Sequence, residues 1–353
     1  MPTNIGRRLE INRESIACIT EEDARRLCKY LVFEGDVVYS RRGDVEKCAY
    51  ITKNESGWLC GTGCLRIRFK QSIVLPKYCA YFLSTDEIKG LISGLAVGTT
   101  MPNLNSTILS SLPIILPPLP EQLAIASVLS SLDDKIDLLL RQNKTLESMA
   151  ETLFRQWFIE EADEGWEEVP LSMFADNIRE NIKVENLTLY NHYVGLEHIP
   201  RKNIVLNSWG VPTSLESNKS EFKQGDILFG KLRSYFHKVV FAPFDGICST
   251  DILVVRPKKE IWFAFCLFWF FNENVVEHSD LGSGGTRMPR TNWEIVSGYR
   301  VLKPPIELIT EFNNIVKPIL VKMQMNITNI RTLESLRDTL LPKLMSGEVR
   351  VSQ

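Results

Sequence analysis

The sequence predicts a mixed α/β chain in which one unit, a globular domain followed by a long helix, is written twice. Three observations predict it. First, short motifs recur at a single offset. Thr145-Leu146-Glu147-Ser148 returns as Thr332-Leu333-Glu334-Ser335, Pro117-Pro118 as Pro304-Pro305, and Met101-Pro102 as Met288-Pro289, with Thr99 matching Thr286; each pair is 187 residues apart. Second, two segments place apolar residues at alternating steps of three and four, the heptad signature of a long packed helix. Third, the chain ahead of each segment is rich in β-branched residues and turn signals, and in both copies a Gly-Asp pair (Gly35-Asp36, Gly225-Asp226) leads into an apolar run that reads as a strand.

The repeat orders the chain. A length of 353 residues suits two domains better than one. We expect a first domain over 1–118, a long helix over 119–160, a second domain over 161–303, a second helix over 304–347 and a short tail over 348–353. The acidic stretch Glu160 to Glu164 marks the boundary ahead of the second domain. From about Gly98 to Phe158 the copies align without gaps on Gly285 to Met345. Upstream, Phe33-Glu-Gly-Asp-Val-Val-Tyr39 resembles Phe222-Lys-Gln-Gly-Asp-Ile-Leu-Phe229. Cys60-Gly-Thr62 with Leu65-Arg-Ile-Arg68 resembles Cys248-Ser-Thr250 with Ile252-Leu-Val-Val-Arg256, at offsets of 188 to 190. One helix is expected near 76–92 and another near 259–278. The second copy opens near Trp166-Glu-Glu-Val-Pro-Leu171. The same offset would start the first copy about 25 residues ahead of Met1, so the first domain is expected to lack its opening segment.

The first long helix follows Pro120, which is tolerated in a first turn, with Glu121 favouring the positive helix end. Its apolar positions are Ile125, Leu129, Leu132, Ile136, Leu139, Leu146, Ala150, Leu153 and Trp157, with Asn143 filling the one gap. From Glu121 to Phe158 it would run roughly 55 Å. The second helix carries Phe312, Val316, Ile319, Met323, Ile330, Leu333, Leu340 and Leu344, with Asn326 and Arg337 inside the stripe. Pro318 lies well within it and is expected to kink or delay the helix. Neither stripe can be buried on a domain of about 100 residues alone, so the two helices are expected to pack on each other as an antiparallel coiled coil. The expected seam is Leu129, Leu132, Ile136, Leu139, Asn143, Leu146 and Leu153 against Val316, Ile319, Met323, Asn326, Ile330, Leu333 and Leu340. With matched ends Asn143 and Asn326 fall opposite each other, a polar pair that would fix register; the alternative is that each is solvated at the seam edge.

Most chemistries are excluded by absence. Net charge is −2, which argues against non-specific coating of nucleic acid but leaves room for local basic patches. The eight cysteines form no C-x-x-C pair, and Cys60-x-x-x-Cys64 lacks a second ligand pair, so no metal site is expected and free thiols in a reducing cytosol are the simplest reading. No phosphate loop, dinucleotide fingerprint or adenine-methyltransferase Pro-Pro-Tyr motif occurs. Glu87-Ile88-Lys89 lacks the Pro-Asp partner of a nuclease motif. The four histidines (His192, His198, His237, His278) all lie in the second copy, so a function carried by both copies cannot rest on them. No catalytic residue is assigned. The longest apolar run, Ile261 to Phe271, is about half of what a membrane helix needs. A cytoplasmic location without a membrane partner is expected.

Two similar domains on an antiparallel helix pair would be related by an approximate two-fold axis. A ligand with two half-sites in opposite orientation, such as duplex DNA, matches that design. The residues then carry a specific resemblance. Leu116-Pro-Pro-Leu-Pro-Glu-Gln-Leu-Ala-Ile-Ala126, followed by Leu132-Asp-Asp-Lys-Ile136 and Leu146 to Phe158, resembles the central conserved region of specificity subunits of type I restriction-modification systems. Leu333-Glu-Ser-Leu-Arg-Asp-Thr-Leu-Leu-Pro-Lys-Leu-Met-Ser-Gly-Glu348 resembles the distal conserved region of that family, and Gly35-Asp-Val-Val-Tyr-Ser-Arg-Arg-Gly43 the Gly-Asp strand of its target recognition domains. The resemblance covers nearly the whole chain. The chain departs from the pattern in its short first domain and at Ile306-Glu-Leu-Ile309, which replaces Leu119-Pro-Glu-Gln122.

The resemblance implies a non-catalytic subunit that targets an adenine-N6 methyltransferase and endonuclease complex. Each domain would read one half of a split double-stranded DNA target. The helices would act as a ruler and dock modification (methyltransferase) subunits, two of them, with a restriction or translocase subunit as a further partner. S-adenosylmethionine, ATP and Mg would sit on those partners, with no cofactor on this chain. A coiled-coil scaffold with protein-binding domains, a nuclease with an unrecognised site, and a degenerate remnant of a specificity subunit stay open as alternatives.

Base and phosphate contacts need side chains that donate or accept, on loops beside a basic surface. Arg41 and Arg42 follow the Gly-Asp strand in the first copy; Lys231, Arg233, Tyr235 and Lys238 follow it in the second. Thr99 and Thr100, and Thr286, Arg287 and Arg290, form the matching loop before the last strand. The alternative for each is a solvated turn. On the helices, Asp133, Asp134, Lys135, Arg141 and Lys144 read as an outward face for docking, or as an ordinary charged flank.

Overall fold

A computed structural model describes the chain apart from residues 14–15, 71, 97–102, 213–216, 286–287 and 352–353 and the side chain of Thr188. The chain divides into two compact units, residues 1–137 with 331–353, and residues 138–330. Each unit takes one globular domain together with part of both long helices.

The first unit is built on a three-stranded antiparallel sheet of β1 (Val37–Ser40), β2 (Cys48–Tyr50) and β3 (Cys64–Ile67), in the order β2-β1-β3. The turn into β1 explains the Gly-Asp pair. Gly35 takes φ +89°, where a side chain would be strained. The buried Asp36 carboxylate accepts the Phe33 N–H at 2.8 Å and receives the Arg68 guanidinium in a two-pronged bond of 2.7 and 2.6 Å. Helices Pro76–Leu83 and Asp86–Leu95 cover the sheet. Their Tyr78, Phe82 and Ile92 join Tyr39 and Leu104 in one core, closed by Ile125 and Leu129 of the first long helix and Leu344 and Met345 of the second.

The second unit contains β4 (Glu168–Pro170), β5 (Ala175–Ile178), β6 (Asn181–Ile182), β7 (Tyr193–Val194), β8 (Lys219–Phe222), β9 (Ile227–Gly230), β10 (Val239–Phe241), β11 (Gly246–Cys248), β12 (Ile252–Pro257) and β13 (Arg300–Leu302). They form sheets β10-β9-β12-β5 and β6-β8-β11-β7 and the pair β13-β4. The triplet β10-β9-β12 repeats β2-β1-β3, strand for strand and antiparallel throughout. The turn is repeated too. Gly225 has φ +88°, and Asp226 accepts the Lys223 N–H at 2.7 Å and both Arg256 donors at 2.7 Å. Helices Phe263–Phe271 and Glu273–Leu281 match those of the first unit. The apolar run read from the sequence is therefore a buried helix, and no helix among the described residues is long and apolar enough to cross a membrane.

The units differ at one edge. In the second, β5 covers the outer side of β12, and β6 covers β8. Among the described residues β3 has no such neighbour. Instead the Arg66 guanidinium reaches back to the carbonyls of Lys29 and Leu31, at 3.0 and 2.7 Å.

The first long helix spans Leu119–Arg155 and ends in a π turn over Gln156–Glu160; the second spans Ile306–Ser346. Pro318 neither breaks nor delays the second helix. It is exposed, so the bond it removes lies on the water side, where solvent replaces it. In the second unit the helices run antiparallel. Phe154, Trp157 and Phe158 surround Phe312, while Asn143 meets Asn326. The Asn326 amide donates to Asn143 Oδ1 at 2.8 Å and to Gln142 Oε1 at 2.9 Å, and the Asn143 amide donates to the Met323 carbonyl at 3.1 Å.

Leu129, Ile136, Leu139, Asn143, Val316, Met323, Asn326 and Ile330 are buried. Leu132, Leu146, Leu153, Ile319, Leu333 and Leu340 are half-buried. Glu147, Phe154 and Leu320 are buried more deeply than their neighbours Leu146, Leu153 and Ile319. The cause is the 3.6-residue turn of a straight helix, which drifts off a strict seven-residue repeat. Asp133 corrects the outward-face reading. It is buried in the first unit, accepts the Tyr81 hydroxyl at 2.7 Å and pairs with Arg337 at 3.0 Å. Arg337, an intruder in the apolar stripe, thus has its counter-charge on the facing helix.

Candidate nucleic-acid interface

The strand after each Gly-Asp turn delivers its next residues to a loop junction of the same build in both units. In the first, the Arg41 N–H bonds the Gly63 carbonyl at 2.8 Å, the Arg41 carbonyl accepts the Leu104 N–H at 2.8 Å, and Arg42 bridges to Asn103. In the second, the Lys231 N–H bonds the Asp251 carbonyl at 2.9 Å, the Lys231 carbonyl accepts the Thr291 N–H at 3.0 Å, and Leu232 bridges to Arg290. Arg41 and Lys231 therefore occupy one position, and in both units the segment ahead of a short helix meets the strand that follows the Gly-Asp turn. A one-turn helix follows each junction. Asn105 and Asn292 cap them identically, accepting the N–H of Ile108 and Ile295 at 2.9 Å.

The two junctions are chemically distinct. Arg41 is half-buried with Nε unpartnered, Asn103 Oδ1 is unpartnered as well, and Arg42 is exposed. In the second unit Lys231 is half-buried, and Arg290 is exposed and paired with Asp251 at 3.0 Å. Arg233 has φ +52°, where the first unit has Gly43 at +77°. A non-glycine residue in this region stores strain of about 1–3 kcal/mol, a cost concentrated at functional sites. Tyr235 is exposed, its ring against Phe236, which in turn lies under the Arg201 guanidinium at 3.8 Å. Lys238 is spent internally: its ammonium bonds the Leu196 carbonyl, and burial, with repulsion from Arg201, lowers its pKa. Thr99, Thr100, Thr286 and Arg287 lie outside the described residues.

Repeat reasoning missed Asn177, Arg179, Asn181, Thr250 and Thr291, which line a cleft beside Lys231. Three of them stand on the β5–β6 segment, which has no counterpart in the first unit among the described residues, so no repeat signal pointed to them. The histidines are placed elsewhere. His237 is buried against the Phe271 carbonyl at 2.7 Å, with desolvation lowering its pKa, and His192 stacks on Phe244. Among the described residues no His, Cys, Asp and Glu group could hold a metal ion, and all eight cysteines are free.

A family model described as the type I restriction modification DNA specificity domain matches residues 8–148. Along most of its length the chain is similar to specificity subunits of type I restriction-modification systems. It is 25% identical to the type I restriction enzyme MjaIX specificity subunit of Methanocaldococcus jannaschii, over 94% of this chain and 82% of that one. It is 22% identical to the HindI specificity subunit of Haemophilus influenzae, over 91% and 88%. The fold is that of the crystallised S subunit from M. genitalium, with a TM-score of 0.59 at 17% identity over 90% of this chain and 84% of the other. Specificity subunits are the non-catalytic targeting members of these systems; they bind DNA and assemble with other subunits, and they carry no cofactor of their own.

Proposed function

We propose that this chain is a specificity subunit that reads a split double-stranded DNA target, one half-site per unit, and docks two modification subunits on its long helices. The observation that carries the reading is the duplicated loop junction: equivalent backbone bonds set Arg41 and Lys231 at one position, while the side chains around them differ. A shared frame with divergent contacts suits two related but unequal half-sites. Exposed apolar side chains on the long helices, among them Leu123, Leu138, Met149, Val321 and Met325, support docking of partner subunits there. S-adenosylmethionine, ATP and Mg belong to those partners in this reading, and a restriction or translocase subunit joins them.

Co-expression with the modification subunit and mapping of N6-methyladenine tests it. A bipartite motif is expected, and exchange of Arg41 and Arg42 for Gln should alter one half only. A contiguous motif, or one in which neither half responds to the exchange of Arg41 and Arg42, would refute the reading.

A further inference from the structure

We propose that the cleft beside Lys231 in the second unit is a binding site for a phosphodiester of the DNA backbone. The proposal rests on the DNA-targeting reading and adds a ligand chemistry to one place within it. The cleft has a volume of about 430 Å³. Its lining includes the cations Arg179 and Lys231 and the neutral donors Asn177, Asn181, Thr250 and Thr291; among the described residues no carboxylate lines it, although the chain as a whole carries a net −2. Asp251, which is near in sequence, is held by Arg290, and Glu294 approaches Arg179 only at 3.6 Å on the exposed side.

Thr291 supplies the independent sign of a ligand. It is 3% exposed, and its hydroxyl has no hydrogen-bond partner. A buried hydroxyl left unpaired is destabilising until an acceptor arrives. A phosphodiester offers acceptors only, so every donor here can serve it, and Lys, Arg, Thr and Asn are the side chains that make such contacts. Base edges present donors as well as acceptors and ask for carboxylates as well as amides. At the matching position the first unit has Leu104, buried and apolar, and among its described residues nothing corresponds to β5.

The test uses the full chain assembled with its modification subunit, and Lys231→Gln, Thr291→Val and the exposed-site change Asn181→Ala. Affinity for a target duplex and for a scrambled duplex is measured across a salt series. For Lys231→Gln the slope of log K against log salt should shrink by about 0.9, one phosphate contact. Thr291→Val should weaken both duplexes alike, by roughly 3- to 10-fold, with Thr291→Ser restoring the loss. The methylated motif should not change. An unchanged slope, or a loss confined to the target duplex, would overturn the phosphate assignment; Asn181→Ala gives the same reading should Thr291→Val fail to fold. Inorganic phosphate at matched ionic strength forms the control arm. If it stabilises the wild type but not Thr291→Val while DNA affinity stays the same, the cleft is a free-anion site and the proposal falls. A wild type with no sequence preference at all would sink the targeting reading itself.

Discussion

Replacing the paired asparagines by leucine, singly and together, measures what the polar contact between the long helices does. Asn326 is fully buried; its amide makes two bonds, of 2.8 and 2.9 Å, while its Oδ1 has no partner. Asn326→Leu removes both bonds and leaves Asn143 Oδ1 unpaired, which costs about 1–3 kcal/mol. Burying the leucine returns about 1–2 kcal/mol, so the single change should destabilise the second unit by about 1 kcal/mol. Asn143→Leu leaves the Asn326 amide with Gln142 alone and should cost a similar amount. The double change leaves neither asparagine and should match or exceed the wild type, for a coupling of about 1–3 kcal/mol. Urea unfolding followed by tryptophan fluorescence is a suitable assay, because Trp157, Trp166, Trp209, Trp262, Trp269 and Trp293 all lie in the second unit and only Trp58 lies in the first. A double variant less stable than both singles would refute the reasoning. The pair would then be a net source of stability rather than a device that fixes register.

Glu147 is pushed up to about 7, by burial first and by Glu151 second, against the Ile204 N–H that donates to it at 2.7 Å. Its folded form holds the proton more tightly than the unfolded chain, so wild-type stability should fall by about 1–3 kcal/mol as pH rises from about 4.5 to about 7. Glu147→Gln should flatten that slope in urea melts; a slope unchanged by the substitution would refute the assignment. Asp226→Asn should cost about 2–4 kcal/mol, below the full value for a buried pair because Arg256 is 35% exposed. Asp36→Asn should cost less, since Arg68 is 49% exposed; the reverse order in thermal melts would contradict this. Arg233→Gly should raise stability by about 1 kcal/mol by relieving backbone strain, while weakening DNA retention in gel shifts; tighter retention would show that the side chain does not serve the DNA.

The long helices were legible because their pattern is periodic and local. Asn143, Asn326 and Arg337 showed as polar breaks in an apolar stripe, and the geometry accounts for each. What sequence reasoning could not see was drift. A seven-residue repeat names Leu146 and Leu153, yet a straight helix buries Glu147 and Phe154, and the difference accumulates only over several turns. Asp133 was misread for a related reason: a charge between charges looks like surface until its partner, 204 residues away, is placed beside it. The Gly-Asp pair was legible as a turn but not as an ion-pair anchor, because Arg68 and Arg256 reach it across a strand pairing. The cleft beside Lys231 left no trace, since its residues come from segments far apart in the chain and partly without a repeat partner.

The pattern of what repeats closely and what does not then has a mechanical reading. The motif Thr-Leu-Glu-Ser is kept in both helices, and its glutamate meets the globular domain of its own unit each time: Glu147 at the Ile204 N–H, Glu334 near Arg8 at 3.6 Å. The Gly-Asp turn with its arginine and the asparagine caps at Asn105 and Asn292 are likewise kept, at nearly the same distances. All of these contacts hold the frame. Their exchange would cost stability whatever DNA is read. The positions between them diverge: Arg42 against Leu232, Gly43 against Arg233, Asn103 against Arg290. These residues sit on backbone that the frame already fixes, so exchanging them changes what a unit presents without moving the strand that presents it.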